Sequence, residues 1–203
     1  MTTRYYSRIR ATQLLLPLLD AAPSPHVVSV LAGGLEAAIN EKDLSLSGPK
    51  AFSLAASNNH TTTMMTLSLE HLAREYPRVS FVHTFPGIVA TPLLGKTSNN
   101  FFLGFILRRI MMPLMGLFAM STTEAGARGL FYATSARYSV DGRGLVPLSE
   151  GVEAAKRTEG RVFLVDAKGE SAENEKVLGD LRKRGVDNQI WEHTMEVFAA
   201  NSQ

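Results

Sequence analysis

The chain has 203 residues, of which 45% are hydrophobic and 20% are charged. This length and composition predict one globular domain rather than a disordered chain. Its 21 basic and 19 acidic residues leave a net charge of +2, which is too small for nucleic acid to be the main partner. Cysteine is absent, which excludes disulfides, thiolate nucleophiles and sulfur-ligated zinc. The five histidines have no metal-ligand spacing, so we expect no metal, and the missing cysteines fit a cytoplasmic protein.

The first part of the chain predicts two helices around a short buried strand. The first helix begins with three arginines and no acid, a pattern also typical of mitochondrial presequences, but we interpret it as an ordinary amphipathic helix. The strand ends in Ala32-Gly33-Gly34, and Pro77 stops the second helix. In chain order we expect a helix at 3–20, a strand at 27–31, a turn-rich segment at 35–56 and a helix at about 58–75.

The most apolar stretch, residues 97–121, does not predict a membrane span. Arg108 and Arg109 lie near the middle of its 101–120 core, where charge is costly in a bilayer, and Pro113 would kink a helix there. We expect one or two short helices that cover a pocket as a lid and make at most a weak contact with a membrane surface. The alternative is that these residues simply belong to the core.

Strands and helices alternate through the remaining chain. Two more buried strands are predicted at 79–85 and 161–166, and helices at about 122–136, 173–184 and 188–200. Strands joined by helical crossovers form a parallel sheet that is covered on both faces. We therefore predict a single α/β domain over residues 1–203. Functional residues of such a sheet gather at the carboxyl ends of its strands.

Residues 79–94, VSFVHTFPGIVATPLL, resemble the sixth strand and the following turn of the short-chain dehydrogenase/reductase family. In that family a Pro-Gly-x-Val-x-Thr motif helps to hold the nicotinamide end of NAD(P), and the matching residues here are Pro86, Gly87, Val89 and Thr91. Residues 5–19, 69–75 and the C-terminal GRVFLVDAKGES also resemble the family, the last most closely a fungal branch in secondary metabolism. The resemblance implies a truncated Rossmann-like parallel sheet with helices on both faces.

Several central features of the family are missing from this sequence. There is no TGxxxGxG turn to bring backbone N–H groups to the pyrophosphate, and Met1 falls where the family's first half should be complete. At the family's usual distances, Asn58 replaces the catalytic tyrosine, Thr62 replaces the lysine, and Ala32-Gly33-Gly34 stands near the catalytic serine. We therefore expect only the C-terminal half of the family's fold, and no NAD(P) binding by the isolated chain in the usual way.

The candidate catalytic residues are His60, Asn58 and His83. His60 suits general acid–base chemistry because the pKa of histidine is ordinarily about 6.5, but it would equally serve as a surface or capping residue. Asn58 would orient a substrate oxygen or cap a helix. His83 precedes the Pro-Gly turn, where it would act in catalysis or remain a buried hydrogen-bonding group. We expect Gly33, Gly34, His60 and residues 86–91 to meet at one cleft under the 101–120 lid.

The resemblance implies a tailoring protein of fungal secondary metabolism on a short-chain dehydrogenase/reductase scaffold. It would act on a small, apolar, polyketide-like substrate by cofactor-independent isomerisation or cyclisation. The alternatives are an NADP-dependent oxidoreductase completed by a partner chain, and a catalytically inactive dehydrogenase-like protein. The unpaired edge of the first strand predicts association. In the family the helices matching 3–20 and 58–75 pack against a second subunit, so we expect a homodimer through them.

Overall fold

The computed structural model describes residues 2–90 and 119–201. Three strands, β1 (His26–Val30), β2 (Ser80–Thr84) and β3 (Phe163–Val165), form one parallel sheet in that order. Val28 pairs with Val82, and Val82 pairs with Phe163, so the strands end level with one another. The predicted α/β fold is confirmed, and the sheet is consistent with a truncated Rossmann-like fold.

Helices flank this sheet on both faces. None of them, within residues 2–90 and 119–201, is long and apolar enough to cross a membrane. Apart from residues 119–121, the predicted lid lies outside the described residues. The described elements are a π-helical segment Thr2–Tyr6, α1 (Ser7–Asp20), α2 (Leu54–Glu75), α3 (Thr122–Thr134), a 3₁₀ turn Ala136–Tyr138, α4 (Glu175–Lys183) and α5 (Val186–Ala200).

Neighbouring residues of β2 bury their side chains on opposite faces of the sheet. Phe81 belongs to the larger core, which is formed with α1, α2, α4 and α5. Val82 points the other way and packs with Tyr132 of α3 and with Tyr138. All five residues of β2 are buried, as expected for the central strand of a parallel sheet covered on both sides.

Helix α2 begins four residues earlier than the sequence predicted. Ser53 is its N-cap, and the Ser53 hydroxyl oxygen accepts a hydrogen bond from the N–H of Ala56 at 3.0 Å. Asn58 consequently lies inside the helix, and the interpretation of Asn58 as a helix cap is wrong. The turn-rich composition of residues 35–56 hid this start, because a serine cap followed by small residues carries little apolar periodicity.

Candidate functional site

A cavity of about 230 Å³ lies at the carboxyl edge of the sheet, on the side covered by α3. It is the location at which open parallel sheets usually bind ligands. Most of its lining is apolar. The lining residues are Val30, Thr84, Pro86, Val89, Met120, Ala125, Arg128, Gly129, Tyr132 and Ala167, and we refer to this cavity as the edge pocket.

The Pro-Gly turn after β2 forms one wall of the edge pocket. Gly87 has a φ of +71°, and a Cβ at this position would lie 2.9 Å from the Cβ of Ala167. Only glycine therefore lets the turn approach the loop after β3 this closely. Pro86 and Val89 line the pocket directly. Three of the four family-motif residues thus lie at this pocket or in its wall, while Thr91 lies outside the described residues.

Thr84 is the unsatisfied polar group of the edge pocket. Thr84 is 1% exposed, and its hydroxyl oxygen is buried with no hydrogen-bond partner among the described residues. Buried polar groups normally have a partner, because an unmade hydrogen bond costs about 1–3 kcal/mol. The hydroxyl is therefore available to bond an oxygen of a bound molecule.

The positive charge of Arg128 at the edge pocket is largely committed to protein groups. One guanidinium nitrogen donates to the carbonyl of Ala167 at 2.7 Å, and another donates to Glu124 Oε1 at 2.8 Å. The Glu124 pair is an i,i+4 ion pair within α3. Arg128 consequently ties α3 to the loop after β3 and leaves the pocket without a free cation among its described lining residues.

His83 lies next to Thr84 in β2, yet it points to the opposite face. It is fully buried, and its Nε2 accepts the N–H of Ala32 at 3.3 Å. The ring proton must then reside on Nδ1, which lies 2.7 Å from the hydroxyl of Thr66. Burial, assisted by the charge of Arg8, lowers the pKa of His83 to about 3. The imidazole is therefore neutral near pH 7.

The chain of hydrogen bonds from His83 ends on a buried carboxylate. The Thr66 hydroxyl donates to Glu36 Oε1 at 2.7 Å, and the same oxygen accepts the N–H of Gly34 at 3.1 Å. The side-chain amide nitrogen of Asn174 donates to Glu36 Oε2 at 3.2 Å. This buried network joins the end of β1, β2, α2 and the segment before α4. Sequence reasoning missed Glu36 and Thr66, because an acid in a turn and a threonine in a helix carry no local signal of pairing.

Gly33 takes part in this packing rather than in an open binding loop. A Cβ on Gly33 would lie 2.0 Å from the carbonyl oxygen of His83, far inside any tolerated contact. The glycine is therefore required by the close approach of two backbone segments. Gly33 also does not line the edge pocket.

His60 and Asn58 bind protein groups on the α2 side of the sheet. His60 is 3% exposed, and its Nε2 accepts the N–H of Asn40 at 2.9 Å. Burial lowers the pKa of His60. Asn58 Oδ1 accepts a hydrogen bond from Arg4 Nη2 at 2.9 Å.

The predicted convergence of the candidates on one cleft is not seen at the edge pocket. His60, Asn58 and His83 are not among its lining residues, whereas Pro86 and Val89 are. On the α2 side, His60 instead binds the segment that follows β1. Thr63, one helical turn further along, binds the same segment, because its hydroxyl accepts the N–H of Ala37 and donates to the carbonyl of Ala37. The catalytic roles of the three candidates stay predictions.

The chain is similar in sequence to known proteins over nearly its whole length. No protein-family model matches it. It is 49% identical over 200 residues to the NmrA-like family domain-containing oxidoreductase notO of Aspergillus sp. (strain MF297-2), covering 98% of the chain and 57% of the relative. It is 38% identical over 209 residues to oxidoreductase andH of Emericella variicolor, covering 98% and 60%. It is 32% identical over 206 residues to the short-chain dehydrogenase/reductase SAT2 of Stachybotrys chartarum, covering 97% and 57%.

The chain thus spans less than two thirds of the length of these relatives. All three carry names of oxidoreductases or dehydrogenase/reductases. These similarities agree with the resemblance of residues 79–94, and the chain is similar over nearly its whole length to fungal proteins named as short-chain dehydrogenase/reductase or NmrA-like oxidoreductases.

Proposed function

We propose that the protein is a tailoring enzyme of fungal secondary metabolism that binds a small, apolar carbonyl or hydroxyl compound in the edge pocket. The observation that carries this proposal is the unpaired Thr84 hydroxyl in an otherwise mostly apolar cavity. An apolar lining with few polar groups is typical of small-molecule sites. A ligand oxygen would restore the hydrogen bond that Thr84 lacks.

The size of the edge pocket limits what it holds. Its 230 Å³ is below the range of about 300–1,000 Å³ usual for drug-sized ligands. It therefore suits one or two fused rings, or a short acyl segment, of a polyketide-like substrate. Burial of such apolar surface would contribute about 25 cal/mol per Å², and the Thr84 hydrogen bond would set the orientation.

The fit of NADP, which the resemblance implies, is poor at the edge pocket. A dinucleotide pyrophosphate needs backbone N–H groups at a glycine-rich turn or a free cation. The turn after β1 is filled by the carbonyl of His83, and Arg128 is committed to Glu124 and Ala167. We propose that the isolated chain binds NADPH no tighter than about millimolar, an interaction of roughly −4 kcal/mol.

Two reaction classes are compatible with this pocket. The names of the relatives favour an oxidoreductase, whose hydride donor would then be held by groups other than the known lining residues of the edge pocket. The poor fit of the dinucleotide favours acid–base chemistry without a cofactor, such as isomerisation or cyclisation. The hydroxyl-bearing residues Thr84 and Tyr132 both line the pocket and would polarise a substrate oxygen there by hydrogen bonding.

A pair of matched ligands tests the binding site. We expect 1-tetralone, which has a carbonyl, to bind about three- to tenfold tighter than tetralin, which lacks it, the usual net value of one hydrogen bond. The Thr84→Val variant should abolish this preference while keeping the affinity for tetralin. Ligand-observed NMR titrations measure both affinities. An unchanged preference in Thr84→Val would contradict the proposed site.

Blocking the edge pocket from α3 gives a second, independent test. A Cβ on Gly129 or on Gly126 would meet no atom of the described residues within 4 Å, so both positions have room for a side chain to begin, but only Gly129 lines the pocket. Gly129→Leu should abolish tetralone binding, and Gly126→Leu should leave it intact. Both variants should retain the fold, since each replaces a helical glycine by a better helix former.

The reaction class is then decided by two readouts with 1-tetralone. Loss of NADPH absorbance on addition of the ketone would indicate an oxidoreductase. Exchange of the ketone's α-hydrogens for deuterium, without NADPH, would indicate acid–base chemistry. If Thr84→Val and Gly129→Leu alter neither readout, the edge pocket is not the active site.

A further inference from the structure

A second cavity lies at the opposite, amino-terminal edge of the sheet. Its volume is about 570 Å³, and four arginines line it: Arg78, Arg143, Arg157 and Arg161. Arg78 and Arg161 each lie two residues before a strand, β2 and β3 respectively. Because parallel strands begin at the same edge of a sheet, arginines that are distant in sequence meet here. We refer to this site as the arginine cavity.

The charge of the arginine cavity is only partly neutralised. Its one lining acid is Asp141, which pairs with Arg143 at 2.7 Å. Hydrogen bonds from Ser139 and from the backbone of Arg143 lower the pKa of Asp141 to about 2, so this carboxylate is charged and offsets one arginine. Within the described part of the chain, Arg78, Arg157 and Arg161 pair with no carboxylate. Three positive charges remain to face the cavity.

Two of these arginines are positioned by the fold. The guanidinium carbon of Arg157 lies 5.9 Å from the ring centroid of Phe163, which is buried in β3. Arg161 has a φ of +74°, a left-handed conformation in which glycine is ordinarily preferred. Its N–H donates to the carbonyl of Thr158 at 2.9 Å, which closes the turn before β3. An arginine therefore occupies a strained backbone position at the rim of this cavity, and strain of this kind gathers at functional sites.

We propose that the arginine cavity binds a compact inorganic polyphosphate, an anion that carries three or more negative charges. Guanidinium groups match phosphate oxygens with two parallel hydrogen bonds. The volume of 570 Å³ is large enough for such an anion. The site is separate from the edge pocket, and the proposal does not depend on the function proposed for that pocket.

Inorganic tripolyphosphate is the direct probe of this site. Calorimetric titration of the full chain at low salt should give one site per chain, with weaker binding of pyrophosphate and of sulfate. The affinity should fall as sodium chloride is raised, because salt screens exposed charges. Citrate, a tricarboxylate whose charge near pH 7 is close to that of pyrophosphate, distinguishes phosphate from carboxylate. Citrate binding as tight as that of pyrophosphate would overturn the assignment to phosphate.

Arg161→Gly separates ligand binding from stability. It removes one charge and relieves the left-handed backbone strain, so the melting temperature should stay the same or rise. The affinity for tripolyphosphate should fall at least tenfold. Lys50→Gly is the matched control, since Lys50 is also exposed, also has a positive φ of 62°, and lies outside the cavity lining.

The comparison of these two variants decides the proposal. A large loss of affinity in Arg161→Gly with little change in Lys50→Gly would support the site. An equal loss in both variants would mean that the anion responds to overall charge, and the proposal would be wrong. Arg78→Gln should reproduce the Arg161→Gly result, and its failure to do so would count equally against the cavity.

Discussion

Lowering the pH should destabilise the folded protein through His83. The folded state keeps this imidazole neutral, since burial lowers the pKa of His83 to about 3, whereas the unfolded chain binds a proton below about 6.5. Between these values the unfolded state holds more protons than the folded state. The free energy of unfolding contributed by His83 is therefore complete above pH 6.5 and is lost as the pH falls towards 3.

The size of this effect follows from the difference between the two pKa values. Each pH unit below 6.5 should cost about 1.4 kcal/mol, because one pKa unit corresponds to about 1.36 kcal/mol. At pH 4.5 the expected loss is roughly 2.7 kcal/mol. That is a large fraction of the stability of an ordinary domain, about 5–15 kcal/mol.

A variant that lacks the imidazole isolates this contribution from those of other groups. His83→Gln keeps a side chain with a donor and an acceptor but does not titrate. The free energy of unfolding, measured in urea at several pH values between 6.5 and 4.5, should fall with decreasing pH by about 1.4 kcal/mol per pH unit more in the wild type than in His83→Gln. Contributions from other groups, such as His60, whose pKa is also lowered, and Glu70, whose pKa burial raises to about 7, cancel in the difference.

Equal slopes in the two proteins would refute this reasoning. They would mean that His83 accepts a proton in the folded state, with the charge stabilised by Glu36, whose Oε1 lies 3.8 Å from His83 Nδ1. A single-pH comparison would not suffice, because His83→Gln also loses packing and hydrogen bonds. The difference in slope is the quantity that reports on the proton.

Three further predictions concern packing, the predicted catalytic histidine and assembly. Gly33→Ala should lower the free energy of unfolding in urea by more than about 3 kcal/mol, since its Cβ would meet the His83 carbonyl oxygen at 2.0 Å. Gly126→Ala should be neutral or stabilising, because no atom of the described residues lies within 4 Å of the added Cβ. His60→Ala should lower the free energy of unfolding by about 1–3 kcal/mol, because the N–H of Asn40 loses its hydrogen-bond acceptor. If His60 is catalytic, the variant would instead lose turnover roughly 100-fold while its fold stays intact. Leu14 and Leu18 of α1 are 64% and 73% exposed, so we propose that they contribute to the interface of a homodimer. The double variant Leu14→Glu/Leu18→Glu should then sediment as a monomer. A wild-type protein that is already monomeric at micromolar concentration would contradict the proposed homodimer.

The sequence was sufficient to predict the alternation of strands and helices. Runs such as VSFVHT before Pro86-Gly87 indicate a strand because they are rich in β-branched and aromatic residues and end at a Pro-Gly turn. The same residues carried the resemblance to short-chain dehydrogenase/reductases, which the similarity to named relatives supports. These signals are local, because each depends on residues that are close together in the chain.

Only the tertiary structure decided which side chains share a site. His83 and Thr84 are adjacent in sequence, yet the pleat sends one into the network with Thr66 and Glu36 and the other into the edge pocket. The start of α2 at Leu54 was missed because a capping serine and small residues show no apolar period. Likewise, Arg78 and Arg161 are distant in sequence, but they line one cavity because parallel strands begin at the same edge of the sheet. Periodicity along the chain determines which elements form, but their pairing depends on contacts between distant residues, which no local pattern encodes.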